Sequence, residues 1–71
     1  MKHEAFQLAF GAHLRTLREA RKLTQEALAD AAEIARPTLQ RIEYGSRSPT
    51  LDSLVSLSKA LKMTLPELLT F

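Results

Sequence analysis

The chain is 71 residues long, contains no cysteine and carries a formal net charge of +2 at pH 7. This length allows one small domain with a small core, and the missing thiols exclude disulfides and thiolate metal sites. The hydrophobic share of 45% is typical of a folded globular protein. No apolar run approaches the roughly 20 residues of a membrane span, and the first ten residues lack the long uncharged core of a signal peptide. We therefore expect a cytoplasmic protein, and the charge alone only weakly indicates a polyanionic partner.

The first predicted element is a helix over roughly Glu4 to Lys22. Phe6, Phe10, His13 or Leu14, and Leu17 recur at three- and four-residue spacing, which is the period of one helix face. Basic side chains are concentrated in the C-terminal half, where they suit the negative end of the helix dipole.

Two short helices are predicted next, over 25–32 and 36–44. Thr24 is a good N-cap for the first of them. Pro37 falls in the first turn of the second, where its missing N–H has no consequence, and Gly45 ends that helix in the position that favours glycine. Between them lies a tight turn.

The C-terminal part of the chain predicts two more helices within 51–71. Thr50 caps the fourth, over about 51–62, and Thr64 caps the fifth. Thr64 and Glu67 have the spacing of a capping box. The sequence therefore predicts an all-α fold of five helices and no strands, in a single domain over residues 1–71.

The segment 24–45 has the layout of a helix-turn-helix, whose second helix enters the DNA major groove. Ala29 and Ala32 are small enough to let the two helices cross closely. One face of the second helix is apolar, and the other carries side chains that suit base edges, because an arginine fork matches guanine and a glutamine amide matches adenine. The candidate base-contacting residues are Arg36, Pro37, Thr38, Gln40 and Arg41.

Three further residues are candidates for contacts with DNA phosphates. Gln25 begins the second helix, where backbone amides favour anions. Tyr44 and Arg47 flank the end of the third helix. Such contacts fix the register of the protein on the duplex but do not read the base sequence. On an isolated helix we would interpret these polar side chains as simply solvated, but within a helix-turn-helix we favour DNA contacts.

The stretch from Leu14 to Leu69 resembles the phage repressor and Cro type (XRE-like) of helix-turn-helix regulator. The pieces LTQEALA, RPTLQRIEYG, SPTLDSL and LPELL follow in the expected order and spacing. The resemblance implies a lambda-repressor-like domain that binds an inverted-repeat operator in double-stranded DNA as a homodimer. It also implies an ion pair between Arg18 and Glu43. The small stand-alone regulators, such as restriction–modification controller proteins, are the most similar in style, so we expect no cofactor and no small-molecule effector.

The sequence departs from this family pattern at two positions near the turn. Glu33 stands where glycine is usual, and a left-handed conformation there would cost roughly 1–2 kcal/mol. Ala35 stands where serine or threonine usually caps the recognition helix, which would forfeit about 1 kcal/mol. Both departures are expected to make the turn and the N-cap that precede the third helix less stable.

The C-terminal end is strongly apolar and predicts a two-fold contact with a second copy of the chain. Some of the four residues Leu65, Leu68, Leu69 and Phe71 must pack on the first helix and the core, and we expect the rest, with Leu61 or Met63, to form this contact. The alternative is that all four belong to the core of one subunit. The candidate interface residues are Leu61, Met63, Leu65, Leu68, Leu69 and Phe71.

Other function classes fit less well. His3 and His13 lie ten residues apart without a glycine-rich loop or clustered carboxylates, so no catalytic set is evident and no enzyme is expected. The main alternative is an antitoxin-like or other module that uses the same fold to bind a protein partner. A third possibility keeps the fold but has lost DNA binding.

Overall fold

The computed structural model of the protein describes residues 3–71, and these form five α-helices and no strands. The helices are α1 (Glu4–Ala20), α2 (Gln25–Ala32), α3 (Arg36–Tyr44), α4 (Leu51–Ala60) and α5 (Leu65–Leu68). The predicted all-α fold is confirmed. In this part of the chain, no helix is sufficiently long and apolar to span a membrane.

Four of the helices end in the same way, with one residue in the left-handed region and a following N–H that bonds back five residues. The left-handed residues are Lys22, Glu33, Gly45 and Lys62. The two lysines explain why α1 and α4 end two residues earlier than predicted. Leu23 N–H donates to the Arg18 carbonyl at 3.2 Å, and Met63 N–H donates to the Ser58 carbonyl at 2.9 Å.

Glu33 has the positive φ, +57°, that is expected where the family usually has glycine. Ala35 caps α3 without any side-chain hydrogen bond. Both departures from the family pattern are therefore present in the structure, and the turn into α3 is less stable than it would be with the usual residues.

Replacing Glu33 with glycine is expected to stabilise the protein by about 1 kcal/mol. Glycine relieves the left-handed strain, although its greater freedom in the unfolded chain offsets part of the gain. Urea unfolding of the two proteins measures the difference. Lys62→Gly is the matched control, because Lys62 has the same φ of +57°. A loss of stability in both variants would contradict this account of the turn.

The hydrophobic core lies where all five helices meet. Ala29 and Ala32 are buried as predicted, and Gly11 brings α1 unusually close to α3. A Cβ atom at Gly11 would lie 2.5 Å from the carbonyl oxygens of Ile42 and Glu43. The buried apolar residues are Phe10, Leu14, Leu28, Ala29, Ala32, Leu39, Ile42, Leu57, Leu61 and Leu68.

Two of the six predicted interface residues belong to this core. Leu61 is 1% exposed and Leu68 is fully buried, so the prediction that they contact a second copy is wrong. Their side chains fill the space between α4, α5 and the rest of the domain. Met63 and Leu65 are half-buried, whereas Leu69 and Phe71 remain exposed and available for such a contact.

The end of the chain packs against α1 through aromatic rings. The ring centroid of Phe71 lies 5.1 Å from that of Phe6 and 5.7 Å from that of Phe10. His13 stacks on Phe71 at 5.3 Å, and its Nε2 lies 2.9 Å from the Leu68 carbonyl oxygen. These contacts give His13 a packing role and hold the C-terminus beside the start of α1.

The capping box predicted at the start of α5 is present. Glu67 N–H donates to Thr64 Oγ1 at 3.2 Å, and Thr64 N–H donates to Glu67 Oε1 at 2.8 Å. The bond from the Thr64 backbone is the main reason that the pKa of Glu67 lies below its ordinary value of 4.5.

This lowered pKa predicts a pH dependence of stability. The charged form of Glu67 stabilises the fold fully above its ordinary pKa, and this contribution is lost as the pH falls below about 4.5. The free energy of unfolding of the wild type, minus that of Glu67→Gln, is therefore expected to be larger at about pH 7 than at about pH 3. A difference that stays constant over this range would contradict the prediction.

Candidate nucleic-acid interface

The helix α3 presents a polar face to solvent and an apolar face to the core. Leu39 and Ile42 are buried on one side, and Arg36, Pro37 and Arg41 are exposed on the other. The remaining two candidate base-contacting residues, Thr38 and Gln40, are half-buried. The two arginines therefore have the most accessible polar groups among the five candidates.

A buried ion pair holds α3 against α1. Arg18 Nε donates to Glu43 Oε2 at 2.7 Å, and its Nη2 donates to Glu43 Oε1 at 3.1 Å. The side chains are 11% and 1% exposed, respectively. The hydrogen bond to Glu43 is the largest cause of the raised pKa of Arg18. The structure thus contains the pair that the family resemblance implies, in a two-pronged geometry typical of strong arginine–carboxylate contacts.

Two glutamines extend this ion pair to the solvent-facing side of α3. Gln25 Nε2 donates to Glu43 Oε1 at 3.1 Å, and Gln40 Nε2 donates to Gln25 Oε1 at 3.3 Å. A carboxylate only accepts hydrogen bonds, so Gln25 must turn its NH₂ group towards Glu43 and its oxygen towards Gln40. This arrangement orients both amides and ties the start of α2 to the middle of α3.

The sequence analysis did not predict this contact between Gln25 and Gln40. It assigned Gln25 to phosphate and Gln40 to bases, and it treated them as independent. The side chain of Gln25 is already engaged at both ends, although its NH₂ group still has a second hydrogen to donate. A partial signal was present in the sequence, since Gln40 lies three residues before Glu43 on one helix, and the resemblance already implied that Glu43 pairs with Arg18.

The remaining candidate phosphate contacts lie at the end of α3. Tyr44 is 66% exposed, and Arg47 is exposed in the loop that follows. Gly45 ends the helix with a φ of +76°, and it lies so close to Leu8 of α1 that a Cβ atom there would be 2.7 Å from Leu8 Cδ2. This close approach fixes where α3 stops and where the loop with Arg47 begins.

A profile described as "Helix-turn-helix" matches residues 14–68 of the chain. This chain belongs to the helix-turn-helix family. The matched span covers α2, α3 and every residue of the buried ion pair. Helix-turn-helix proteins of this type are DNA-binding transcriptional regulators rather than enzymes. In residues 3–71 there is also no group of three or more His, Asp or Glu side chains placed to hold a metal ion.

Individual regulators support the family assignment. The chain is 38% identical over 60 residues to the uncharacterised HTH-type transcriptional regulator YqaE of Bacillus subtilis, which aligns 84% of this chain with 52% of that protein. The chain therefore spans about half the length of this helix-turn-helix relative. It is 36% identical over 58 residues to the control protein C.SmaI of Serratia marcescens, with 82% of this chain and 69% of that protein covered.

Among solved structures, the fold is similar to that of the restriction-modification controller protein C.AhdI from Aeromonas hydrophila. The TM-score is 0.88 at 36% sequence identity, and the match covers 90% of this chain and 97% of that chain. The similarity thus extends over nearly the whole of this chain.

Proposed function

We propose that this regulator binds an inverted-repeat operator in double-stranded DNA as a homodimer, with α3 in the major groove. The observation that carries the proposal is the exposed face of α3, which presents Arg36 and Arg41 to solvent while the buried ion pair between Arg18 and Glu43 holds the helix from behind. A rigidly held helix with exposed arginines is suited to bidentate contacts with guanine.

The other polar residues of this surface have supporting roles in the proposal. Pro37 and Thr38 contact thymine methyl groups, and Gln40 contacts a base through the donor and acceptor that Gln25 leaves free. Tyr44 and Arg47 contact phosphates and set the register of the helix, as does the remaining N–H of Gln25. The named relatives are bacterial proteins, and since bacterial DNA lies in the cytoplasm, we place this regulator there.

The proposed dimer contact uses the exposed end of the chain. Leu69 is 43% exposed and Phe71 is 46% exposed, and the half-buried Met63 and Leu65 complete the set. Together these side chains form an apolar face suited to a two-fold contact. A dimer of this kind would separate the two recognition helices by roughly 34 Å, one turn of DNA.

A buried amide beside this face supports the presence of a partner. Gln7 is 8% exposed, and its Nε2 has no hydrogen-bond acceptor among the described residues. Gln7 and Leu69 line a small pocket of about 140 Å³, together with Phe6 and Phe10. Buried donors almost always have an acceptor, and an oxygen from a second copy would supply one here.

Sedimentation equilibrium tests the dimer. The wild type is expected to sediment as a dimer at high micromolar concentration, and Leu69→Lys is expected to shift it towards monomer, because a charged side chain disrupts an apolar contact. Leu8→Lys is the matched control, since Leu8 is an exposed apolar residue on a different surface, beside Tyr44. A wild-type monomer at this concentration would contradict the homodimer.

Retention of genomic fragments tests the DNA-binding part of the proposal. The purified protein is mixed with sheared DNA from its source organism at moderate salt, and the retained fragments are sequenced. We expect a few loci that share an inverted repeat. Uniform recovery of the genome, lost as salt is raised, would indicate sequence-independent binding and would contradict the proposed operator.

A further inference from the structure

We propose that Arg15 of α1 binds a backbone phosphate of the DNA on which α3 is seated, an inference that rests on the proposed function. No part of that function assigns a role to Arg15. It lines an open polar cleft of about 500 Å³ between α1, α2 and α3, whose other walls include Gln25, Arg36 and Tyr44. The cleft thus brings a cation of α1 together with residues proposed to contact bases and phosphates.

The position of Arg15 follows from the close packing of α1 on α3. Gly11 lies against the backbone of Ile42 and Glu43, and Leu8 lies against Gly45. Arg15 is seven residues after Leu8 and four after Gly11, so it lies on the same stripe of α1, along the flank that adjoins α3. When α3 occupies the major groove, which is about 12 Å wide, the element beside it faces the phosphates of the groove wall.

The charges of the cleft favour an anion. Arg18 also lines the cleft, but Glu43 neutralises its charge. The remaining cations are Arg15 and Arg36, and the one opposing acid in the lining is Glu26. A guanidinium suits phosphate because its planar fork donates two parallel hydrogen bonds.

The side chain of Arg15 is available for this contact. It is 58% exposed, and within residues 3–71 its side-chain partner is Glu19, also 57% exposed, at 3.5 Å. Exposed pairs at this helical spacing are weak, so a phosphate would displace Glu19. It follows that Glu19 competes with DNA for Arg15 and lowers the affinity of the protein for DNA.

The salt dependence of operator affinity tests this inference. Neutralising one phosphate contributes about 0.9 to the slope of log affinity against log salt. Because the proposed homodimer carries two copies of Arg15, Arg15→Ala is expected to reduce the magnitude of the slope by about 1.8. Its affinity deficit is therefore expected to shrink by roughly 12-fold between about 50 and 200 mM salt. Arg15→Lys is expected to keep the slope, and preferences among base-substituted operators are expected to be unchanged in both variants.

Two further variants sharpen the test. Glu19→Gln is expected to bind the operator more tightly than the wild type, because it releases Arg15. Lys59→Ala removes an exposed cation from α4 and is expected to leave the slope unchanged. Arg15→Ala is expected to unfold at the same temperature as the wild type. A change in its binding would then not be due to unfolding.

The outcomes separate this inference from the proposed function. An Arg15→Ala variant with the wild-type slope would overturn the phosphate contact, while sequence-specific binding by the wild type would leave the proposed function standing. An altered base preference in Arg15→Ala would also overturn it, because a phosphate contact carries no sequence information. A wild type with no sequence-specific binding would overturn the proposed function and this inference together.

Discussion

Replacing Glu43 with alanine is expected to destabilise the protein by about 3–5 kcal/mol, the usual effect of removing one partner from a buried ion pair. The Arg18 side chain, 11% exposed, would keep its charge without the carboxylate that receives two of its hydrogen bonds. Gln25 would lose its acceptor as well. A domain of this length has a total stability of about 4–11 kcal/mol, so the variant is expected to be substantially unfolded near 37 °C.

Urea unfolding at 25 °C measures this loss, with Glu19→Ala as the matched control. Glu19 also pairs with an arginine, but in an exposed position, so its removal is expected to change stability by less than about 0.5 kcal/mol. The double variant Arg18→Met/Glu43→Leu is expected to recover much of the stability, because it leaves no unpaired charge. An effect below 1 kcal/mol for Glu43→Ala would show that the pair behaves like a surface contact.

Replacing Arg36 and Arg41 together with alanine is expected to weaken operator binding by at least about 2 kcal/mol, or about 30-fold. Each bidentate contact with guanine contributes about 1–3 kcal/mol of discrimination. Both residues are exposed, so the fold is expected to be unaffected. The variant is expected to lose specificity as well as affinity, since its binding becomes more uniform among different DNA sequences.

Fluorescence anisotropy with a labelled operator measures the change in affinity. The double variant Lys59→Ala/Lys62→Ala is the control, because it removes the same number of exposed cations from another surface. This control variant is expected to bind the operator slightly more weakly than the wild type, because its lower net charge attracts DNA less strongly. An unchanged operator affinity in Arg36→Ala/Arg41→Ala would remove these arginines from the recognition surface.

The helix boundaries show which structural signals are local. The starts of α2, α4 and α5 were predictable because threonine side chains cap them, and the end of α3 because glycine favours the left-handed region. The ends of α1 and α4 were not predictable, because lysine has no preference for the left-handed region. At both ends the left-handed lysine is followed by an apolar residue and a capping threonine, as in Lys22 to Thr24, and this repeated pattern is the only local trace of the turn.

The side-chain network at the candidate interface shows what a single sequence does not reveal. Arg18 and Glu43 are 25 positions apart, and their pairing was implied by the family resemblance rather than by spacing. The bond between Gln25 and Gln40 depends on which donors and acceptors remain free once that pair has formed, which residue types alone do not specify. Leu61 and Leu68 were misplaced for a related reason, since helical periodicity identifies an apolar face without showing whether the same subunit or a second one covers it.

Selection from a random pool of duplex DNA, sequenced after several rounds at moderate salt, tests the central claim most directly. The account predicts an enriched inverted repeat with guanines in each half-site and half-site centres about one helical turn, or 10–10.5 base pairs, apart. An enriched single half-site would contradict the dimer but keep α3 as the recognition helix. A pool without any enrichment, retained only weakly and released by salt, would contradict sequence-specific DNA binding by this surface.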